Sequence, residues 1–161
     1  MNAGLDLAAA SYLVVAIGSD PLTAEVAQSW IAEAESVAPT TLVVLDSMAA
    51  QPDREVLADM LVRARVGVRV LIAGGRYDVL QALAFAREHG TLAYELDSRV
   101  THERDLPVYC AHCRGTHRVA ATPGGEVACP GCRRQLEVHE HHSAVLGSYL
   151  ASAAQARELT S

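Results

Sequence analysis

The 161-residue chain contains no lysine, and all 13 of its basic residues are arginines. The absence of lysine excludes a Schiff-base amine and a P-loop lysine as the basis of its chemistry. Aromatic residues make up only 4% of the sequence, which leaves few rings to stack on nucleic-acid bases or on a flavin. No apolar run approaches the roughly 20 residues that span a bilayer. We therefore expect a folded protein that is not embedded in a membrane.

The charge pattern and the N-terminal residues bear on location and on partners. The first ten residues contain Asp6 and no basic residue, so they lack the positive start of an export signal. This predicts a cytoplasmic location, where thiols stay reduced and paired cysteines usually bind metal. The net charge is −6, and the part before Leu106 has 8 arginines against 15 acidic residues. This acidity argues against nucleic-acid binding, although four arginines lie near the cysteines, namely Arg114, Arg118, Arg133 and Arg134.

The four cysteines form two CxxC pairs, Cys110 with Cys113 and Cys129 with Cys132. A CxxC places two thiolates on one tight turn, so two such turns can close a tetrahedral four-sulfur site. The stretch between the pairs, residues 117–128, has the pattern of a strand, a turn and a second strand. The spacing predicts a zinc ribbon with a structural Zn²⁺. Iron, as a single ion or as an Fe–S cluster, stays open as the alternative.

The part before the cysteines alternates apolar runs with amphipathic stretches. The runs predict strands buried on both faces, and the stretches predict helices, the second capped by Asp53. The strands are expected at residues 12–17, 41–45, 68–73 and 92–95. Such alternation implies parallel pairing. We therefore predict an α/β protein: a small Rossmann-like, parallel three-layer domain at residues 11–100, a linker at 101–106, and a zinc-ribbon domain at 107–161 with a C-terminal helix over 146–159.

Glycines at the ends of two strands are weak candidates for cofactor binding: Gly18, Gly74 and Gly75. Ligands of α/β sheets bind at strand ends, and a glycine turn before a helix can hold a pyrophosphate. Neither loop reads GxGxxG, however, and Asp20 and Asp78 would repel a phosphate. Turn glycines without a ligand are the favoured interpretation.

Histidines crowd the segment after the second cysteine pair. His139 and His142 are predicted to hydrogen-bond a metal-bound thiolate or to contact a partner, as are His112 and His117 beside the first pair. No nucleophile, base and orienting group stand in a recognisable pattern, so no catalytic residue is predicted.

Several of these motifs together resemble the DmmA-like subunit of bacterial dimethylamine monooxygenase. The resemblance is carried by Tyr-Cys-Ala-His-Cys-Arg-Gly at residues 109–115, by the CPxC segment at 129–139, and by His-Ser at 142–143 with Tyr-Leu at 149–150. The front part, with Val-Leu-Ile-Ala-Gly-Gly at 70–75, is similar to that family's N-terminal α/β domain. It also resembles a reduced form of the nicotinamide-binding domain of ferredoxin-reductase-type enzymes.

The resemblance implies a role in a multi-subunit oxygenase that uses NADPH and O₂ to convert dimethylamine to methylamine and formaldehyde. It implies that haem, FMN, a 2Fe–2S cluster and NADPH sit on partner subunits, the oxygenase and reductase components. This chain would then be a non-catalytic docking subunit. Two alternatives stay open: an electron-transfer module with iron on the four cysteines, and a nucleic-acid-binding zinc-ribbon protein.

Overall fold

The computed structural model describes residues 5–157. Within this range the chain forms an α/β part followed by a β-rich part. In chain order the elements are β1 (Ser11–Ile17), α1 (Pro21–Glu35), β2 (Thr40–Leu45), α2 (Gln51–Arg63), β3 (Val68–Gly75), α3 (Arg76–Glu88), β4 (Leu96–His102), β5 (Leu106–Cys110), β6 (Gly115–Val119), β7 (Glu126–Ala128), β8 (Gln135–Ser143) and β9 (Ser148–Ala153).

The α/β part is a four-stranded parallel sheet in the order β2-β1-β3-β4. Helix α1 packs on one face, over the side chains of Tyr12 and Val14. Helices α2 and α3 pack on the other face, where Leu57 and Val79 meet Val15. Alternate residues of β1 therefore enter two different cores, as its continuous apolar run predicts. The predicted parallel three-layer α/β fold is confirmed.

The fourth strand lies later in the chain than predicted. Residues 92–95 form a loop and a short 3-10 turn, Ala93–Glu95, in which the Glu95 carboxylate accepts a hydrogen bond from the Leu92 N–H. Leu92 and Tyr94 stay exposed. The true strand, β4, alternates half-buried and exposed residues along its first five positions, so its sequence lacks the apolar run that marks the other three strands.

Strand β2 is not buried on both faces, contrary to the prediction. It lies at the edge of the sheet, and α1 lies chiefly over β1, its neighbour, and over β3 beyond it. Val43 and Leu45 point into the core under α2 and α3, whereas Leu42 and Val44 are 46% and 67% exposed on the other face. One face of this apolar strand is thus uncovered within the described chain.

The β-rich part is a mixed five-stranded sheet in the order β6-β5-β9-β8-β7. Strands β6 and β7, which flank the link between the two cysteine pairs, lie at opposite edges of this sheet. The predicted strand-turn-strand hairpin between the pairs is therefore wrong. Each CxxC instead turns a hairpin of its own, β5 with β6 and β7 with β8.

The predicted C-terminal helix is also wrong over most of its length. Residues 148–153 form β9, which inserts between β5 and β8 with Tyr149 and Ala151 buried. A short 3-10 turn, Ala154–Arg157, follows it, and residues 158–159 lie outside the described range. The alanines of β9 favour a helix, but a strand at this position buries alternate side chains and completes the core, and this tertiary packing outweighs the helical preference.

Helix α3 joins the two parts. Its Leu80 lies in the same hydrophobic cluster as Leu106 and Val108 of β5. The Gln81 side chain donates a 2.7 Å hydrogen bond to the carbonyl oxygen of Gly147. A Cβ on Gly147 would lie 2.5 Å from the Leu80 carbonyl oxygen, so only glycine allows this close approach.

The predicted division into two domains and a linker stays a prediction, although only residues 103–105 separate β4 from β5. Among the helices of the described range, none is long and apolar enough to cross a membrane.

Candidate metal centre

The two CxxC turns have the same local structure. In each, the residue after the second cysteine donates its N–H to the carbonyl oxygen of the first: Arg114 to Cys110 and Arg133 to Cys129, both at 2.8 Å. Both arginines adopt left-handed backbone conformations, with φ of 56° and 64°. This conformation is uncommon outside glycine. Its repetition shows that both turns are held in one specific shape.

The four thiols converge on one point. Their Sγ atoms all lie within 4.8 Å of one another. Two of the pairs join different turns, with 3.7 Å between the Sγ atoms of Cys110 and Cys132 and 3.7 Å between those of Cys113 and Cys129. Four sulfurs on a tetrahedral ion, each about 2.3 Å from it, would be about 3.8 Å apart. Disulfide sulfurs would be about 2.05 Å apart. The geometry therefore fits a metal ion and does not fit a pair of disulfides.

The thiols differ in pKa because their surroundings differ. Burial raises the pKa of Cys110, but the N–H groups of Cys113 and His112 and the neighbouring thiols outweigh it and lower the pKa to about 7. For Cys113 the Gly115 N–H lowers the pKa, whereas desolvation and the neighbouring thiols raise it to about 11. Without an ion, the Cys110 thiolate therefore forms more readily than the Cys113 thiolate. A cation at the centre would stabilise the thiolate forms, so binding would release protons.

His117 is the histidine that contacts the cluster. Its Nε2 lies 3.3 Å from the Sγ of Cys113, as predicted for a group that hydrogen-bonds a thiolate. The ring lies against the second turn, because a Cβ on Gly131 would be 2.7 Å from it. The packing role of Gly131 was not predicted. Only the Pro-Gly dipeptide inside the second CxxC hinted that a small residue was needed there.

Of the other three predicted histidines, His112 is exposed on the first turn, and the remaining two lie on β8 and have different contacts. His139 Nε2 is 3.0 Å from the hydroxyl of Ser152. The ring of His142 packs edge-on against Tyr149, with 5.5 Å between ring centres. Both are exposed, so contact with a partner stays a prediction for them.

One of the four arginines that lie near the cysteines in sequence, Arg118, is directed away from them in the structure. Arg118 leaves the cluster and binds the α/β part: its Nε is 2.9 Å from Asp105, its Nη1 donates to Ser47, and its guanidinium lies over the ring of Tyr77. Its Nη2 also lies 3.7 Å from the buried carboxylate of Asp78. This role of Arg118 was not predicted, since no sequence pattern indicates which arginine turns towards another part of the chain.

The glycine-rich strand ends have packing roles in this structure. A Cβ on Gly74 would lie 2.9 Å from the Ile17 carbonyl oxygen, and one on Gly75 would lie 2.3 Å from the ring of His102. Gly18 adopts a φ of 96° at the turn into α1. Binding of a nucleotide by these three glycines stays a prediction.

The two carboxylates expected beside those loops also have structural partners. Asp20 caps α1, accepting from the Leu22 N–H, and forms an ion pair with Arg104. Asp78 lies in the first turn of α3, which begins at Arg76, and its side chain is buried. Asp53, expected to cap α2, instead lies in that helix's first turn and accepts from the N–H groups of Asp46 and Ser47.

Two comparisons with known proteins found similarity, one of them located on the part of the chain that holds the cysteines. Residues 107–151 match the family model described as dimethylamine monooxygenase subunit DmmA-like, C-terminal domain. The chain is 38% identical over 101 residues to a protein of Ectopseudomonas mendocina (strain ymp) named heme-dependent oxidative N-demethylase delta subunit. That alignment covers 63% of this chain and 57% of the relative. No solved structure matches. The resemblance is thus confirmed for the region that holds the four cysteines.

Proposed function

We propose that this chain is a small, non-catalytic subunit of a haem-dependent, multi-component amine N-demethylase. The observation that carries the proposal is the family match over residues 107–151, which contains all four cysteines of the metal centre. The name of the relative, a delta subunit, supports assembly with other subunits. The oxygenase and reductase components are the partners that we propose.

The proposed overall reaction is the oxidative demethylation of dimethylamine. One dimethylamine, one O₂, one NADPH and one proton give methylamine, formaldehyde, NADP⁺ and water. Two electrons from NADPH and two from the C–H bond reduce O₂. The haem, FMN and 2Fe–2S groups that such a reaction uses would belong to the partners. The chain has only four cysteines, and a structural ion would occupy all of them.

The metal that we propose is Zn²⁺, held by Cys110, Cys113, Cys129 and Cys132. When bound, it supplies four bonds that cross-link the β5–β6 turn to the β7–β8 turn. Each hairpin alone has little core, and the ion would fix their relative position. His117 would orient the Cys113 sulfur by hydrogen bonding, as groups outside the ligand shell commonly do. The result is a rigid surface suited to docking.

An iron-bearing electron-transfer module is the second candidate. One observation favours it: Cys113 is exposed, whereas Cys110 and Cys129 are buried. An exposed ligand would bring an iron centre close to the surface, where electrons enter and leave. The sulfur spacing serves iron as well as zinc.

Metal content and the visible spectrum of the freshly purified full chain test the proposal. We expect about one zinc per chain and no visible colour. Replacing Cys129 by Ser should abolish metal binding, whereas replacing the exposed His112 by Ala should leave it intact. Iron with absorption bands that bleach on reduction would replace the structural proposal by the electron-transfer one. If the metal-loaded chain binds neither the oxygenase component nor the reductase component, the docking role is contradicted.

A further inference from the structure

The exposed side of β2 is the least expected feature of the α/β part. Four of the five side chains from Thr41 to Leu45 are aliphatic. This pattern is typical of a strand covered on both faces. In the structure only one face is covered, and Leu42 and Val44 are 46% and 67% exposed. An uncharged apolar edge strand without proline or a bulge is an association site that proteins normally protect.

A groove runs between β2 and α1 beside these side chains. It has a volume of about 150 Å³, and Ile31 of α1 faces Leu42 and Val44 across it. A benzene-sized group fills a cavity of this volume, so one large apolar side chain of a partner would fit. We call Leu42, Val44 and Ile31 the β2 face.

The charge around the β2 face selects the kind of partner. The first 53 residues contain seven acidic residues and no arginine, lysine or histidine. Two of the acidic residues belong to the elements that border the groove or follow directly on them: Glu25 lies on α1 and Asp46 comes directly after β2, and both are exposed. Two copies of this chain joined through the β2 face would bring these carboxylates together, and like charges oppose such pairing. A partner with arginine or lysine around an apolar centre complements it.

We propose that the β2 face is a docking site for another subunit of the demethylase, which inserts an apolar segment flanked by arginine or lysine. The proposal rests on the proposed function and adds to it the surface used and the chemistry of the partner. Burial of Leu42 and Val44 would supply the affinity, and the carboxylates would steer the basic segment into place. None of the three residues of the β2 face belongs to the four-cysteine cluster.

Binding measurements with purified components test the proposal. The metal-loaded full chain is titrated with the haem-binding subunit and, separately, with the reductase subunit. The variant Leu42→Asn/Val44→Asn should weaken binding of one of them at least tenfold. The matched control is Val62→Asn/Val66→Asn, because Val62 and Val66 are 78% and 97% exposed at the end of α2 and beyond it; it should bind as the unmodified chain does. Circular dichroism and metal content verify folding, and Val44→Asn alone replaces the double variant if that fails to fold.

A charge test complements the apolar one. Reversal of Glu25 and Asp46 to arginine should weaken the same interaction, and raising salt from about 0.05 M to about 0.5 M should weaken binding of the unmodified chain. Equal binding by the β2 variant and the control overturns the β2 proposal and leaves the proposed function intact. Binding of neither subunit by the unmodified chain overturns both. A dimer of the chain alone that the β2 variant dissociates would assign the face to a second copy and overturn the proposed partner.

Discussion

Replacing the buried carboxylate of Asp78 by a methyl group should destabilise the folded chain strongly. Asp78 is 3% exposed. Its Oδ1 accepts hydrogen bonds from the Met48 N–H at 2.8 Å and from the Ser47 hydroxyl at 3.1 Å. Its Oδ2 lies 3.7 Å from the Arg118 guanidinium of the ribbon. One side chain thus ties the loop after β2, helix α3 and the β-rich sheet together.

The expected cost of Asp78→Ala follows from these contacts. The Met48 N–H is left buried without an acceptor, which costs about 1–3 kcal/mol. Breaking a buried ion pair costs about 3–5 kcal/mol, but Arg118 is 36% exposed and keeps Asp105, so the smaller end applies. We expect a total of about 3 kcal/mol. Asp78→Asn keeps an oxygen acceptor for Met48 and loses only the charge, so about 1 kcal/mol is expected.

Urea unfolding of the metal-loaded chain, followed by circular dichroism, measures this effect. With a slope of about 2 kcal/mol per molar urea, Asp78→Ala should lower the midpoint by about 1.5 M. Asp59→Ala is the control, because Asp59 forms an exposed pair with Arg63 within α2 that is worth under about 0.5 kcal/mol. Equal midpoints for Asp78→Ala and Asp59→Ala would refute the reasoning.

Three further predictions concern other parts of the structure. Gly147→Ala should lower the urea midpoint far more than Gly90→Ala does. Both glycines have positive φ, but of the two only Gly147 has a backbone atom, the Leu80 carbonyl oxygen, where a Cβ would lie. Equal decreases in midpoint would contradict this close approach. Stripping the metal with a chelator should lower the melting temperature and expose the thiols to a thiol reagent, and re-adding Zn²⁺ should restore both; an unchanged melting temperature would refute a structural ion. The hydrogen bonds from Arg104 and from the Leu22 N–H lower the pKa of Asp20, so its contribution to stability should be complete above its unfolded pKa of about 3.9 and be lost as pH falls through the lower folded value. Asp20→Asn should therefore unfold more easily than the unmodified chain at pH 7, and this difference should shrink as the pH is lowered below about 3.9; a difference that stays constant with pH would contradict the ion pair.

The sequence carried enough information to predict the parallel sheet and the four thiols. Apolar runs mark β1 and β3, because both strands lie inside the sheet and bury both faces. The CxxC spacing marks the cysteines, because two turns of that length suffice to bring four sulfurs together. These signals are local in sequence, so they can be read without knowledge of tertiary contacts.

The features that were missed depend on contacts between distant residues. The alanines of β9 favour a helix, and only pairing with β5 and β8 makes the segment a strand. The apolar run in β2 does not show that α1 lies chiefly over β1 and β3. Arg118 could not be distinguished from the arginines beside it, because several of its partners, Ser47, Tyr77 and Asp78, lie forty or more residues earlier in the chain.

The position of β9 determines when the β-rich sheet can be completed during synthesis. Both CxxC hairpins are local and can form as soon as they emerge, yet they are not neighbours in the sheet. The strand that joins them is β9, the last strand of the described chain, which lies at the centre of the sheet. Until residues 148–153 are synthesised, the two hairpins, which carry two thiols each, lack the strand that pairs with both β5 and β8. The sheet around the four thiols is therefore completed by the last strand of the described chain.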